Sequence, residues 1–273
     1  MVTFRIGHTG ILWGFSKDDA LPAVRDTAEL GYLAYETFGF TIEQYLDEPG
    51  GFGALLATYD IPLSAAYCPT EFYDPADAGK DIENCARWAK LAADLGAETL
   101  VLQGGQRKEQ PYPYFEGMAE AFNEIGRQAA KLGMRAAIHP HTGTLIETGE
   151  EIDTILGAVD PTLVGFAPDT GQILKGGSDP VEVLRKHKPQ LWHVHLKDYG
   201  GGRETGYVGY EAIGQGVVDM PGIFRVLEEA EFDGWVMVEL DGTPQAPRSP
   251  REAAALSKQY LQNLLGDRAT WRK

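Results

Sequence analysis

Eight short apolar segments alternate with eight longer helix-like segments along this chain, and that alternation restricts the fold more than any other feature. Strands are expected near 3-8, 32-37, 62-67, 98-103, 134-139, 163-168, 191-196 and 235-240. Helices are expected near 18-30, 41-57, 79-95, 113-132, 149-157, 179-188, 220-231 and 250-265. Asp179-Pro180 and Ser249-Pro250 each read as a capping side chain followed by proline in the first helical turn. Gly31 and Gly133 fall where two of the helices should stop. Such repetition predicts an α/β architecture, and eight units favour a closed parallel (β/α)8 barrel. An open doubly wound sheet competes, but no dinucleotide glycine fingerprint follows the first strand. Gly200-Gly201-Gly202 lacks the lysine and serine spacing of a phosphate loop. With 273 residues and no linker or low-complexity tract, residues 1–273 are expected to form one domain.

Charge narrows the partners. Lys and Arg number 24 against 40 Asp and Glu, a net charge of -16. A field of that sign repels nucleic acid, whose binding relies on neutralising phosphates, and speaks against anionic membrane surfaces. The two cysteines, Cys68 and Cys85, make neither a disulfide framework nor a zinc ribbon. The start, MVTFRIGHTG, lacks a basic segment followed by a long apolar one, and no apolar run approaches the roughly 20 residues that span a bilayer. The expected setting is the cytoplasm.

In barrels of this kind the chemistry sits at the C-terminal ends of the strands. Those ends carry Glu36, Gln103, His139 and His141, Asp169, then His193, His195 and Lys197, and finally Glu239. Five of the six histidines, His8 included, fall at expected strand ends. Within LWHVHLKDY (191–199), His193 and His195 share one strand face. Each residue alone has a plain structural reading. Asp169 could cap the next helix, and Lys197 could pair with Asp198 or Glu36. Taken together, imidazole and carboxylate groups end four consecutive strands, which suits a borderline divalent ion such as Mn, Co, Fe or Zn. Trp13, Phe15, Tyr67 and Tyr73 are candidates to wall a polyol pocket. Arg203, Tyr207 and Tyr210, after strand seven, either close over substrate or reach a neighbouring subunit of a homo-oligomer.

The motifs PDTGQ (168–172) and HVHLKD (193–198), with HPHTGTLIETGEEID (139–153) and GWVMVELDGTP (234–244), resemble the xylose-isomerase-like TIM barrels of the sugar isomerase and epimerase group. The last two segments are similar to its inosose dehydratase branch. The resemblance implies a divalent metal, Mn or Co first and Zn, Fe or Mg as further candidates, held by His139, Asp169, His195 and Glu239. Two departures stand out: many members carry glutamate where this chain has His139, and histidine where it has Gln172. The implied substrate is a small keto-inositol or keto-sugar.

A metal beside a carbonyl stabilises developing enolate charge. Loss of the alpha proton, followed by departure of a neighbouring hydroxyl, gives a dehydratase. Reprotonation instead gives an isomerase or epimerase, and loss of an aglycone gives a 3-keto-glycoside lyase. Lys197 is the candidate base or enolate stabiliser, because a desolvated lysine near a metal can have a lowered pKa. Glu36 and His141 are candidates for proton transfer to the leaving oxygen. Gln103, His193, Arg203 and Trp13 are the expected substrate contacts.

Overall fold

A computed structural model describes residues 2–71, 75–107, 115–202, 208–241 and 248–272. Arg203, Tyr73 and Tyr207 lie outside the described residues.

The eight expected strands form one parallel sheet. They are β1 (Phe4–Thr9), β2 (Tyr35–Phe38), β3 (Leu63–Cys68), β4 (Thr99–Gln103), β5 (Arg135–His139), β6 (Val164–Phe166), β7 (His193–Leu196) and β8 (Trp235–Val238). Hydrogen bonding runs β6-β5-β4-β3-β2-β1-β8-β7. The remaining seam, between β6 and β7, is joined by bridges Phe166 to Leu191 and Asp169 to His195. There the Trp192 amide donates to the Phe166 carbonyl at 3.0 Å and the His195 amide to the Pro168 carbonyl at 2.9 Å. The strands therefore make a single (β/α)8 barrel, in which parallel pairing is satisfied all round.

Alternation along the strands sorts the side chains. Ala66, Cys68, Leu100, Leu102, Ala136 and Ile138 face outward into the main core under the helices, all buried. Their neighbours Ala65, Tyr67, Val101, Ala137 and Ala167 face the barrel interior as a separate cluster. Three of those five are alanine. Small residues at this level leave space above them, and the next inward position on β5 is His139 and after β6 is Asp169.

Helix boundaries follow local chemistry. Asp179 caps Pro180–Lys186 by accepting from the Val181 and Glu182 amides. Ser249 and Glu252 form a reciprocal capping box at the start of Pro250–Leu265. Two expectations are corrected. The helix expected over 41-57 is two, Gly39–Glu43 and Gly51–Thr58. At the junction, the cap Gly50 and the first helical residue Gly51 adopt φ of 76° and 58°, which a continuous helix cannot accommodate. A short helix, Thr170–Lys175, also precedes Pro180–Lys186, with Asp169 as its cap.

His8 departs from the strand-end group. It points outward and meets Trp13 and Tyr32 edge-on, with ring centroids 5.3 and 5.0 Å away. Burial drives its pKa from 6.5 down to about 4. The unfolded chain therefore binds a proton that the fold rejects. This histidine's contribution is whole above pH 6.5 and is lost as pH falls toward about 4. His8→Phe, which keeps the edge-on packing, is expected to flatten the acid limb of stability between those values. Chemical denaturation across pH checks this, and an unchanged slope would show that His8 is not the group responsible.

Candidate metal centre and active site

β7 aims His193, His195 and Lys197 at the barrel axis, because positions two apart share a face. Glu36, inside β2, meets this row from across the barrel. His193 Nε2 and His195 Nε2 each lie 2.8 Å from a different Glu36 oxygen. Burial works to raise the Glu36 carboxyl, but the two imidazoles, His195 foremost, outweigh it and hold it at about 2. Glu36 is thus an ionised acceptor with both oxygens engaged. One sequence separation of 157 residues joins it to His193.

On its other side, His195 presents Nδ1 to Glu239 Oε2. The two atoms touch without the alignment of a hydrogen bond. Burial opposes charge on His195, yet Glu239 and Glu36 together push its pKa well above the usual imidazole value. His139 sits 4.7 Å from His195 between ring centroids. It is fully buried, and among the described residues neither of its ring nitrogens has a hydrogen-bond partner. Its pKa is driven well down, by burial first and by His195 second, so the ring is neutral with a lone pair to offer. His139 Nε2 stands 4.0 Å from Asp169 Oδ2.

Asp169 caps the next helix, its plain structural reading, and turns its second oxygen toward the site. Oδ1 accepts from the Gln172 amide at 2.8 Å and caps the short helix, while Oδ2 faces the site. Burial lifts this carboxyl to about 6.

Lys197 is fully buried, and its ammonium lies 3.0 Å from Asp169, 3.1 Å from Glu239 and 3.1 Å from Asp241. Burial alone would discharge it. Asp169, Asp241 and Glu239 instead raise its pKa well above the usual lysine value. The pairing with Asp198 or Glu36 considered from sequence does not form. Asp198 accepts from the amides of Tyr199, Gly214, Gly216 and Val218 and organises the loop after β7. Gly171 of PDTGQ lets the lysine stem pass: a Cβ there would lie 2.8 Å from Lys197 Cγ.

A second polar chain flanks the lysine. Gln172 Nε2 donates to Asp241 Oδ2 at 3.1 Å and lies 2.9 Å from His141 Nε2. Gln172 Oε1 accepts from the Thr142 amide at 3.1 Å and from the Thr142 and Tyr210 hydroxyls. A backbone amide can only donate and a carboxylate can only accept, so the orientation of this side-chain amide is determined. His141 Nε2 must then accept, and Nδ1 carries the proton toward the Thr142 carbonyl at 2.8 Å. Burial also lowers the His141 pKa. His141 is consequently a neutral ring that positions Gln172.

Four carboxylates, Glu36, Asp169, Glu239 and Asp241, are set against one lysine and the His195 imidazole in this buried region. That surplus, with the unpartnered His139 nitrogens and the unaligned His195–Glu239 contact, fits a divalent cation held by His139, Asp169, His195 and Glu239. His139, Asp169 and His195 offer ligand atoms within 4.8 Å of one another. Glu36 would then accept the remaining N–H of His195, the usual arrangement behind a metal-bound imidazole. Glu36, His193 and His195 make a second such group, but both Glu36 oxygens there already face imidazoles.

Above the site opens a cavity of about 820 Å³. Glu36, Gln103, His141, His195, Glu239 and Asp241 form its polar part, and Trp13, Phe15, Phe38 and Tyr67 its aromatic part. Gln103 Oε1 accepts from the Tyr67 hydroxyl at 2.7 Å. Trp13 is anchored by its indole N–H to Asp26 at 3.0 Å. Tyr210 spans the site from the loop after β7, its ring centroid 4.9 Å from Lys197 Nζ. Asp241 was not anticipated. It stands two positions after Glu239, and the two-residue strand period is the signal that could have found it.

The xylose isomerase-like TIM barrel family matches residues 24–263. The chain is 29% identical over 300 aligned positions to an inosose dehydratase of Geobacillus kaustophilus, covering 96% of this chain and 95% of that one. Among solved structures, a zinc-bound IolI protein superposes with a TM-score of 0.80 at 17% identity, covering 96% and 98% of the two chains. The probable 3-DHS dehydratase AsbF of Bacillus anthracis gives 0.76 at 18% identity, covering 95% and 99%. The protein belongs to the xylose isomerase-like TIM barrel family.

Proposed function

We propose that this protein is a metal-dependent carbon–oxygen lyase that dehydrates a keto-inositol, of the inosose class. The observation that carries this reading is the convergence of His139, Asp169, His195 and Glu239 around a buried lysine, in a chain aligned over nearly its full length with an inosose dehydratase. A divalent ion on those four residues would supply Lewis-acid polarisation of a carbonyl and stabilise enolate charge. Among the described residues lining the cavity none is lysine or arginine, which favours an unphosphorylated substrate.

The side chains divide the remaining work. Asp241 lines the cavity and lies outside the metal set, so it is the carboxylate placed to accept the alpha proton. Lys197 does not line the cavity, so of the two roles expected for it only charge stabilisation is kept, exerted from beneath through the carboxylates that it pins. Its pairing with three carboxylates speaks against the basic form. As the beta carbon–oxygen bond breaks, the leaving hydroxyl takes the proton that Asp241 accepted and departs as water, which returns Asp241 to its carboxylate. Glu36 orients His195, and His193 shares that carboxylate. An epimerase commonly opposes two metal-bound glutamates, whereas here strand five supplies His139.

Incubation with scyllo-inosose and Mn²⁺ or Co²⁺ is expected to yield the unsaturated dione, seen by absorbance, and chelation to abolish it. Alpha-proton exchange on a ketohexose, with no dione, would replace dehydratase by isomerase. Glu36→Gln is expected to weaken metal binding roughly 10–100-fold by calorimetry, and wild-type affinity would remove its orienting role. Gln172→Ala removes the amide that orients Asp241 beside Lys197 and is expected to lower kcat about tenfold with KM little changed, the pattern of an interaction that matters in the transition state.

A further inference from the structure

The cavity has two chemically different halves, and the proposed reaction uses one. Tyr67 stacks against His195 with ring centroids 6.2 Å apart and an interplanar angle of 23°. Phe38 meets Tyr67 edge-on at 5.1 Å and lies stacked on Phe40 at 4.8 Å. Phe15 closes the row, edge-on to Phe38 at 5.9 Å and to Phe40 at 6.1 Å. A continuous aromatic row thus runs from the site histidine to the cavity mouth, where Phe15 remains 57% exposed. The row is held in place, because the Thr41 hydroxyl donates to the Phe15 carbonyl at 2.7 Å.

A single polyol ring, hydroxylated around its edge, asks for donors and acceptors at its rim. The floor provides these, and the outer row adds none. At about 820 Å³ the cavity lies in the upper part of the range of about 300–1,000 Å³ that holds drug-sized ligands. An anionic extension finds no lysine or arginine among the described lining residues. A flat apolar ring, by contrast, finds faces and edges in the geometry that aromatic pairs favour.

Resting on the reading of a polyol ring in the polar floor, we infer that Phe15, Phe38 and Tyr67 form a subsite for an aryl substituent attached to that ring. The site then takes aryl glycosides and aryl-substituted polyols in preference to their small-alkyl counterparts.

Methyl and phenyl β-D-glucopyranoside, which carry no ketone and so do not turn over, test this by calorimetry on the manganese-loaded full chain. The phenyl compound is expected to bind about tenfold more tightly, equivalent to about 1.4 kcal/mol. Phe15→Ala and Phe38→Leu are each expected to reduce the phenyl-to-methyl ratio to about threefold or less. Because Phe15 is exposed, its replacement leaves the core packing in place. Equal affinities in the wild-type protein, or a ratio that survives both replacements, would overturn the subsite. The scyllo-inosose assay reports on the reaction separately: a clear phenyl preference without dehydration keeps the subsite and removes the dehydratase reading.

Discussion

A lysine ammonium with no solvent contact is tolerable only where carboxylates surround it, and most of this site follows from meeting that requirement at Lys197. Asp169, Glu239 and Asp241 come from the loop after β6 and from the end of β8, on either side of β7. Satisfying one cation therefore pins three strand ends to each other across the barrel's last seam. Gly171 has no side chain so that the lysine stem can cross it. Gln172 then holds Asp241, and His141 with Thr142 holds Gln172. Each polar group in the sequence of contacts has its partner fixed by the one before.

Much of this was legible beforehand, for identifiable reasons. The barrel could be read because strand and helix periods repeat without interruption, and the strand-end residues because a barrel places all its strand ends on one face. His139, Asp169, His195 and Glu239 do meet, as do Glu36 and Lys197 with them. What stayed hidden was pairing. Nothing local says that Glu36 bonds two histidines more than 150 positions away, or that Lys197 chooses Asp241 over its neighbour Asp198. His8 was misgrouped because ending a strand does not reveal which face a side chain takes. Its neighbours Gly7 and Thr9 take the inward positions. The split of the second helix was visible in Pro49-Gly50-Gly51, where the apolar pattern outweighed the turn signal.

The two halves of the cavity also show how a family fold admits separate decisions. Metal ligands and lysine sit on rigid strand ends, where the barrel sets their spacing. The aromatic row is drawn from β2, β3, the short helix Gly39–Glu43 and the loop after β1, the last of which can vary without disturbing the floor. Tyr67 belongs to both parts, since it packs on His195 and hydrogen-bonds Gln103.

The double contact of Glu36 has a consequence for how the chain reaches its native state. It ties β2 to β7, elements far apart in sequence whose encounter carries a large loop-closure entropy. His195 gains its carboxylate partners only once β8 lies beside β7 and β2 faces them across the barrel. The charged cluster therefore cannot be complete before these distant strands have met. Until then the apolar outer faces of the strands must hold the chain together against partly buried, unpaired charge. A cation that binds only the finished cluster draws the folding equilibrium toward the closed barrel, so its supply would govern how much of the chain survives to act, as well as how fast it acts.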